Sequence, residues 1–197
     1  ASMDLGEISS ILVKAAKGGR VVVRLHTGDP SLYSAMREQA DVLEREGVPY
    51  EVVPGVSSAF ASAAALKKEL TAPGITQTVI FTRMEGKTPV PEKERLSALA
   101  AHNATICVFL SVGMIDRVVS ELREGGYGAD TPVAVVCKAT WDDELKVTGT
   151  LTDIAGKVLE AGIKRHALII VGRSLGDVGA ETSMLYDSAF PHGYRHD

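Results

Sequence analysis

The residues of this chain best placed to do chemistry lie in two short turns. His26-Thr27-Gly28-Asp29-Pro30 follows the apolar run Val21-Val22-Val23-Arg24-Leu25, and Pro54-Gly55-Val56-Ser57-Ser58 follows Val52-Val53. A glycine in such a turn lets a ligand approach the main chain, and Pro30 presets φ for a first helical turn. Asp29 supplies an acceptor and a carboxylate that can take a proton, with Glu85 as an alternative base. Ser57 and Ser58 carry hydroxyls that either cap the next helix or reach a ligand, and the two roles are compatible. His26 reads more simply as a hydrogen-bonded turn histidine than as a base. The sequence has no cysteine or histidine spacing suited to zinc, no Walker loop and no Gly-x-Gly-x-x-Gly. On local physics the first turn is either an ordinary strand-to-helix turn or, at the carboxyl end of a strand in an open α/β sheet, a place where a ligand binds.

Alternating strand and helix patterns must position these turns, which makes the fold class α/β. Ser2 to Ala16 reads as a helix with Leu5, Ile8, Ile11, Leu12 and Ala15 on one face. Arg20 to Leu25 reads as a strand, and its continuous valines suit a parallel strand covered on both faces. A helix from Ser31 to Glu46 and a strand from Tyr50 to Val53 complete a βαβ unit. The alanine-rich segment from Ser57 to Leu70 is a further helix. After a break at Thr71-Ala72-Pro73-Gly74, strands are expected at 78–83, 105–110, 132–139, 146–150 and 167–172. Helices are expected at about 91–101, from Met114 to Leu122, and at 151–160, the last opened by a Thr150-x-x-Asp153 capping box. This gives an amino-terminal lobe over 1–74, a second lobe over 75–176 and an irregular tail over 177–197. Trp141, the only tryptophan, is expected to pack.

The chain has 197 residues, 45% of them hydrophobic, which is enough for one large domain or two small ones. No apolar run approaches the roughly 20 residues of a bilayer span, and no basic leader with an apolar core is visible at the start. Cys107 and Cys137 fall in strand-like runs and read as reduced core thiols of a cytoplasmic protein. A formal charge of −4 argues against nucleic acid as the main partner. It does not exclude an acidic small molecule, which needs only local cations.

His26-Thr27-Gly28-Asp29-Pro30 together with Val52-Val53-Pro54-Gly55-Val56-Ser57-Ser58 resembles the paired signatures of the tetrapyrrole (corrin and porphyrin) methyltransferases. The likeness runs from about Ala1 to Gly176. Thr82-Arg83-Met84-Glu85-Gly86-Lys87-Thr88-Pro89-Val90-Pro91-Glu92 resembles a stretch particular to the branch that methylates C11 of precorrin-4 or cobalt-precorrin-4. The resemblance implies two α/β lobes with a cleft between them. Because family members begin with a further strand and a glycine-rich loop, it also implies an incomplete first lobe. S-adenosyl-L-methionine is the implied cofactor, a tetrapyrrole the implied substrate and a homodimer the implied assembly. Carried over position by position, the cofactor contacts are Gly28, Asp29, Leu32, Ser57, Ser58, Leu110, Ser111, Ala139, Thr140 and Ala167. His26, Tyr33, Arg83 and Lys87 are the substrate contacts, and Asp29 is the candidate catalytic group. Methyl transfer from a sulfonium is a displacement at a carbon already activated, so positioning and exclusion of water are the protein's work.

Overall fold

A computed structural model describes residues 3–176; the tail expected over 177–197 lies outside the described residues. The chain divides into two compact units after Ser58.

The first unit holds α1 (Leu5–Lys17) and α2 (Met36–Arg45), which contact one another. A reciprocal capping box starts α1: the Glu7 N–H donates to Asp4 Oδ1 at 2.8 Å and the Asp4 N–H to Glu7 Oε2 at 2.9 Å. Along its expected apolar face, Leu5, Ile8, Leu12 and Ala15 are half-buried, whereas Ile11 is exposed. The second helix starts five residues later than its periodicity suggests. Tyr33 and Ala35 take left-handed φ values of 53° and 51°, which keep residues 31–35 out of a helix.

The expected strands Arg20–Leu25 and Tyr50–Val53 are not formed, because neither segment is paired in a ladder. Their apolar side chains are exposed rather than covered on both faces, with Val21 96% and Leu25 78% accessible. A valine run favours a pleated surface only when a neighbouring strand supplies hydrogen bonds and side-chain contacts, and here none does.

The second unit is built on a five-stranded sheet of β1 (Val79–Arg83), β2 (Thr105–Phe109), β3 (Pro132–Cys137), β4 (Leu145–Thr150) and β5 (Ala167–Val171). The order is β1-β2-β5-β3-β4. Only β1 and β2 pair in parallel; β5 runs antiparallel to both β2 and β3, and β4 antiparallel to β3. The sheet is therefore mixed. Apolar composition reports burial on two faces, and a central antiparallel strand is buried in the same way. Thus β2 is buried throughout and β5 at all but its first residue, while the edge strand β4 is largely open.

Besides α3 (Ser58–Leu66), whose first residue closes the first unit, the helices are α4 (Leu96–Ala100), α5 (Ile115–Glu124) and α6 (Ile154–Glu160). Leu96 of α4, Val118 and Leu122 of α5, and Ile154 and Val158 of α6 pack with Ile106, Val108, Val133, Val135, Ile169 and Val171 in one core. Each such side chain, fully buried, contributes about 1.5–3 kcal/mol. The start of α6 differs from expectation. Asp153 Oδ1 accepts the Thr150 N–H at 2.7 Å, but residues 151–153 form a turn and the helix begins at Ile154.

Candidate functional site

In the first unit the two signature turns lock together. Asp29 accepts the Ser31 N–H on Oδ1 at 2.8 Å and the Gly55 N–H on Oδ2 at 2.9 Å, so one carboxylate shapes its own turn and staples the other. Those two backbone donors, Gly55 first, hold its carboxyl below the usual aspartate value. The two glycines are needed for different reasons. Gly28 has φ +73° and a Cβ there would find ordinary contacts of 3.6–3.8 Å with residues 56–58, so backbone conformation is the constraint. At Gly55 the constraint is space, because a Cβ would stand 2.1 Å from the Gly28 carbonyl oxygen. The structure thus brings Gly28 and Asp29 against Ser57 and Ser58. Ser57 is buried, and Ser58 is the first residue of α3. Leu32 donates its N–H to the Asp29 carbonyl at 3.3 Å and is half-buried. His26 is half-buried and Tyr33 is exposed. Behind the turn, buried Gln39 accepts from Arg24 Nε at 3.2 Å and donates to the Ala35 carbonyl at 3.0 Å.

In the second unit strand register decides what meets. Arg83 pairs with Phe109, and Cys137 pairs with both Ala167 and Leu145. The ends of β1, β2 and β3 and the beginnings of β4 and β5 therefore share one edge of the sheet. Leu110, Ser111, Ala139, Thr140 and Ala167, far apart in sequence, all fall on that edge. So do four non-glycine residues with left-handed backbone: Leu110 (φ 55°), Lys138 (51°), Thr140 (72°) and His166 (55°). Such conformations are uncommon for residues with a Cβ, and for a β-branched residue such as Thr140 they are strained. Strain of this kind gathers where turns present main-chain groups to a ligand. The Lys138 N–H donates to the His166 carbonyl at 2.8 Å, joining two of these turns.

Several side chains at this edge have tasks the sequence did not reveal. Ser111 is fully buried; its hydroxyl accepts the Met84 N–H at 2.9 Å and donates to the Phe109 carbonyl at 2.6 Å. Its side chain ties the loop after β1 to the end of β2, which leaves the main chain as its means of touching a ligand. Arg83, expected to pair a substrate carboxylate, spends its guanidinium on its own loop. Nη1 donates to the Met84 and Thr88 carbonyls at 3.3 and 3.1 Å, and Nη2 to Pro89 at 2.7 Å. The guanidinium fork reaches three carbonyls of the loop that follows its own strand. Lys87 is exposed on that loop. Lys138 pairs with Asp143 and lies 5.7 Å from the centre of the Trp141 ring. Trp141 is 58% exposed and does not pack in the core. It lies in the connection between Cys137 and Leu145, whose residues are largely open.

An aromatic row also escaped the sequence reading. Phe60 meets Phe81 edge-to-face at 5.7 Å, and Phe81 meets Phe109 at 5.8 Å. Phe81 and Phe109 lie on neighbouring strands at positions of like parity, a pairing that only the register sets. Among the described residues no group of histidine, cysteine and carboxylate side chains is arranged to hold a metal ion, and no helix is long and apolar enough to cross a membrane. Both cysteines are free; burial pushes the Cys107 thiol up to about 12.

Residues 1–155 match the family model described as Tetrapyrrole (Corrin/Porphyrin) Methylases. The chain is 57% identical over 195 residues to the cobalt-precorrin-4 C(11)-methyltransferase of Methanocaldococcus jannaschii, covering 99% of this chain and 75% of that protein. Among solved structures it is similar to a cobalt precorrin-4 methyltransferase, with a TM-score of 0.87 and 48% identity over 89% of this chain and 74% of the other. It is also similar to the uroporphyrin-III C-methyl transferase of Thermus thermophilus complexed with S-adenosyl homocysteine, with a TM-score of 0.72 and 31% identity, covering 87% and 74% respectively.

Proposed function

The chain belongs to the tetrapyrrole (corrin/porphyrin) methylases, and we propose that it transfers a methyl group from S-adenosyl-L-methionine to C11 of precorrin-4 or cobalt-precorrin-4 in cobalamin biosynthesis. The observation that carries this reading is the 57% identity, across 99% of the chain, to a protein named for that reaction. The geometry supports it, since the first signature turn and the sheet edge present main-chain groups through left-handed residues.

When bound, the sulfonium donor supplies a methyl group already activated for displacement. Gly28, Leu32, Ser57 and Ser58 in the first unit, and Leu110, Ser111, Ala139, Thr140 and Ala167 in the second, are the residues proposed to hold it. They do so through N–H and C=O groups, a role that suits their small or outward-facing side chains. Asp29 keeps its place in this site by positioning. A carboxylate that accepts two backbone N–H groups and has a lowered pKa is a poor base. His26, Tyr33 and Lys87 are proposed to meet the substrate, with Arg83 shaping the loop that carries Lys87. We take the lobe boundary to follow Gly74, where Ala72 and Thr76 close a tight turn. A cytoplasmic homodimer follows from the family resemblance, and sedimentation of the purified chain checks the dimer.

Titration with S-adenosylhomocysteine, followed by incubation with labelled donor and either precorrin-4, cobalt-precorrin-4 or uroporphyrinogen III, tests the reading. Saturable binding and label on a precorrin-4 are expected. Absence of binding at millimolar ligand, about −4 kcal/mol, removes the donor site. Label on uroporphyrinogen alone removes the substrate assignment.

A further inference from the structure

Thr140 has the largest φ of the left-handed non-glycine residues, +72°, and it is β-branched. A side chain from the same connection holds it there. The Thr140 N–H donates to Glu144 Oε2 at 2.8 Å, closing the β3–β4 connection from inside. The other oxygen, Glu144 Oε1, lies 3.3 Å from Lys146 Nζ. Lys146 in turn donates to the Ala65 carbonyl at 3.0 Å. Ala65 is in the last turn of α3, where the carbonyls lack intrahelical partners. Ala63 and Ala64 are satisfied by the N–H groups of Lys68 and Lys67, and Lys146 serves Ala65 while placing a cation at the negative end of the helix. The Glu144 side chain is 22% exposed and that of Lys146 45%, so the two hydrogen bonds to main-chain groups carry the link more than the ion pair does.

We propose that Glu144 and Lys146 are positioning residues of the donor site. Glu144 holds the Thr140 main chain in its left-handed turn, and Lys146 ties that turn to the end of the helix opened by Ser58. The proposal rests on the donor-site reading above and extends it to two residues that neither signature contains. Glu144 and Lys146 touch the site only through others: Thr140 on one side, α3 on the other.

The test compares the wild-type chain with Glu144→Ala, Glu144→Gln, Lys146→Met and, as control, Asp143→Ala, which removes an ion pair from the same connection. S-adenosylhomocysteine affinity is measured by calorimetry, donor KM and kcat in the methylation assay, and exchange of the Thr140 amide by hydrogen–deuterium mass spectrometry. Glu144→Ala should weaken affinity at least tenfold, raise donor KM by a similar factor with kcat changed less than threefold, and speed Thr140 exchange. Glu144→Gln keeps an oxygen for the Thr140 N–H and should restore most of the affinity. Lys146→Met should fall between them, and Asp143→Ala should stay within twofold of wild type. Unchanged affinity in Glu144→Ala overturns the proposal, as does an equal loss in Asp143→Ala or failure of glutamine to rescue. A wild-type chain that binds no S-adenosylhomocysteine overturns the donor-site reading itself, and this proposal with it.

Discussion

Asp29 illustrates how a residue can be placed correctly and still have its role decided by its neighbours. Its position between a glycine and a proline makes it an acceptor at a strand-to-helix turn, and nothing local shows that its second oxygen reaches Gly55, 26 positions away. With both oxygens occupied it holds two turns in register. Asp29→Asn presents an NH2 group to one of two backbone N–H donors, so S-adenosylhomocysteine affinity should fall by roughly tenfold, as one charge-assisted bond is lost. The pH dependence has a definite sign. The folded pKa is depressed below the ordinary 3.8, so the stabilisation is present above that value and is lost as pH falls through the lower folded value. Ligand-affinity profiles should therefore be flat through neutral pH and drop only below about 4 in the wild type, with the acidic drop reduced in Asp29→Asn. A wild-type midpoint near neutrality would mean that a different group titrates.

Among the elements, β1 and β2 show how side chains without a catalytic task build a site. Ser111 satisfies the Met84 N–H in a fully buried position, and Arg83 folds the following loop onto its own carbonyls. Ser111→Ala strands the Met84 N–H, which should cost about 1–3 kcal/mol in urea unfolding. A change below 0.5 kcal/mol would show that water or a shifted main chain takes over. The strand spans of the second unit were legible in its sequence because runs such as Thr105–Phe109 and Ala167–Val171 are apolar throughout. Their directions were not, since burial on both faces looks the same in parallel and antiparallel pairing. Helix starts were less legible. Positive φ at Tyr33 and Ala35, and the turn at residues 151–153, overrode apolar periodicity that extends beyond the helices themselves.

At the scale of the whole chain, stability is uneven. The second unit has a continuous core around β2, β3 and β5, whereas Val21, Val23 and Leu25 in the first unit are 96%, 74% and 78% exposed. Segments without ladder hydrogen bonds open with little free energy, and core strands open only near global unfolding. Backbone amides of residues 21–25 should therefore exchange within seconds, roughly the rate of an open chain, while those of Ile106–Val108 and Ile169–Val171 persist for hours. Protection of residues 21–25 comparable with β5 would show that these valines find a covering partner in solution.

The sequence by itself determined the family and the identity of the two glycine turns. Ligand-binding turns need particular residue types at fixed local spacing, and local spacing is what a chain displays before it folds. Tertiary structure decided which residues face the same edge, because register sets that across separations no local pattern encodes. It also gave the side chains of Arg83, Ser111 and Asp29 hydrogen-bond partners that no local pattern shows. A buried or crowded polar group takes the nearest satisfied partner, and only the folded chain fixes which partner is nearest.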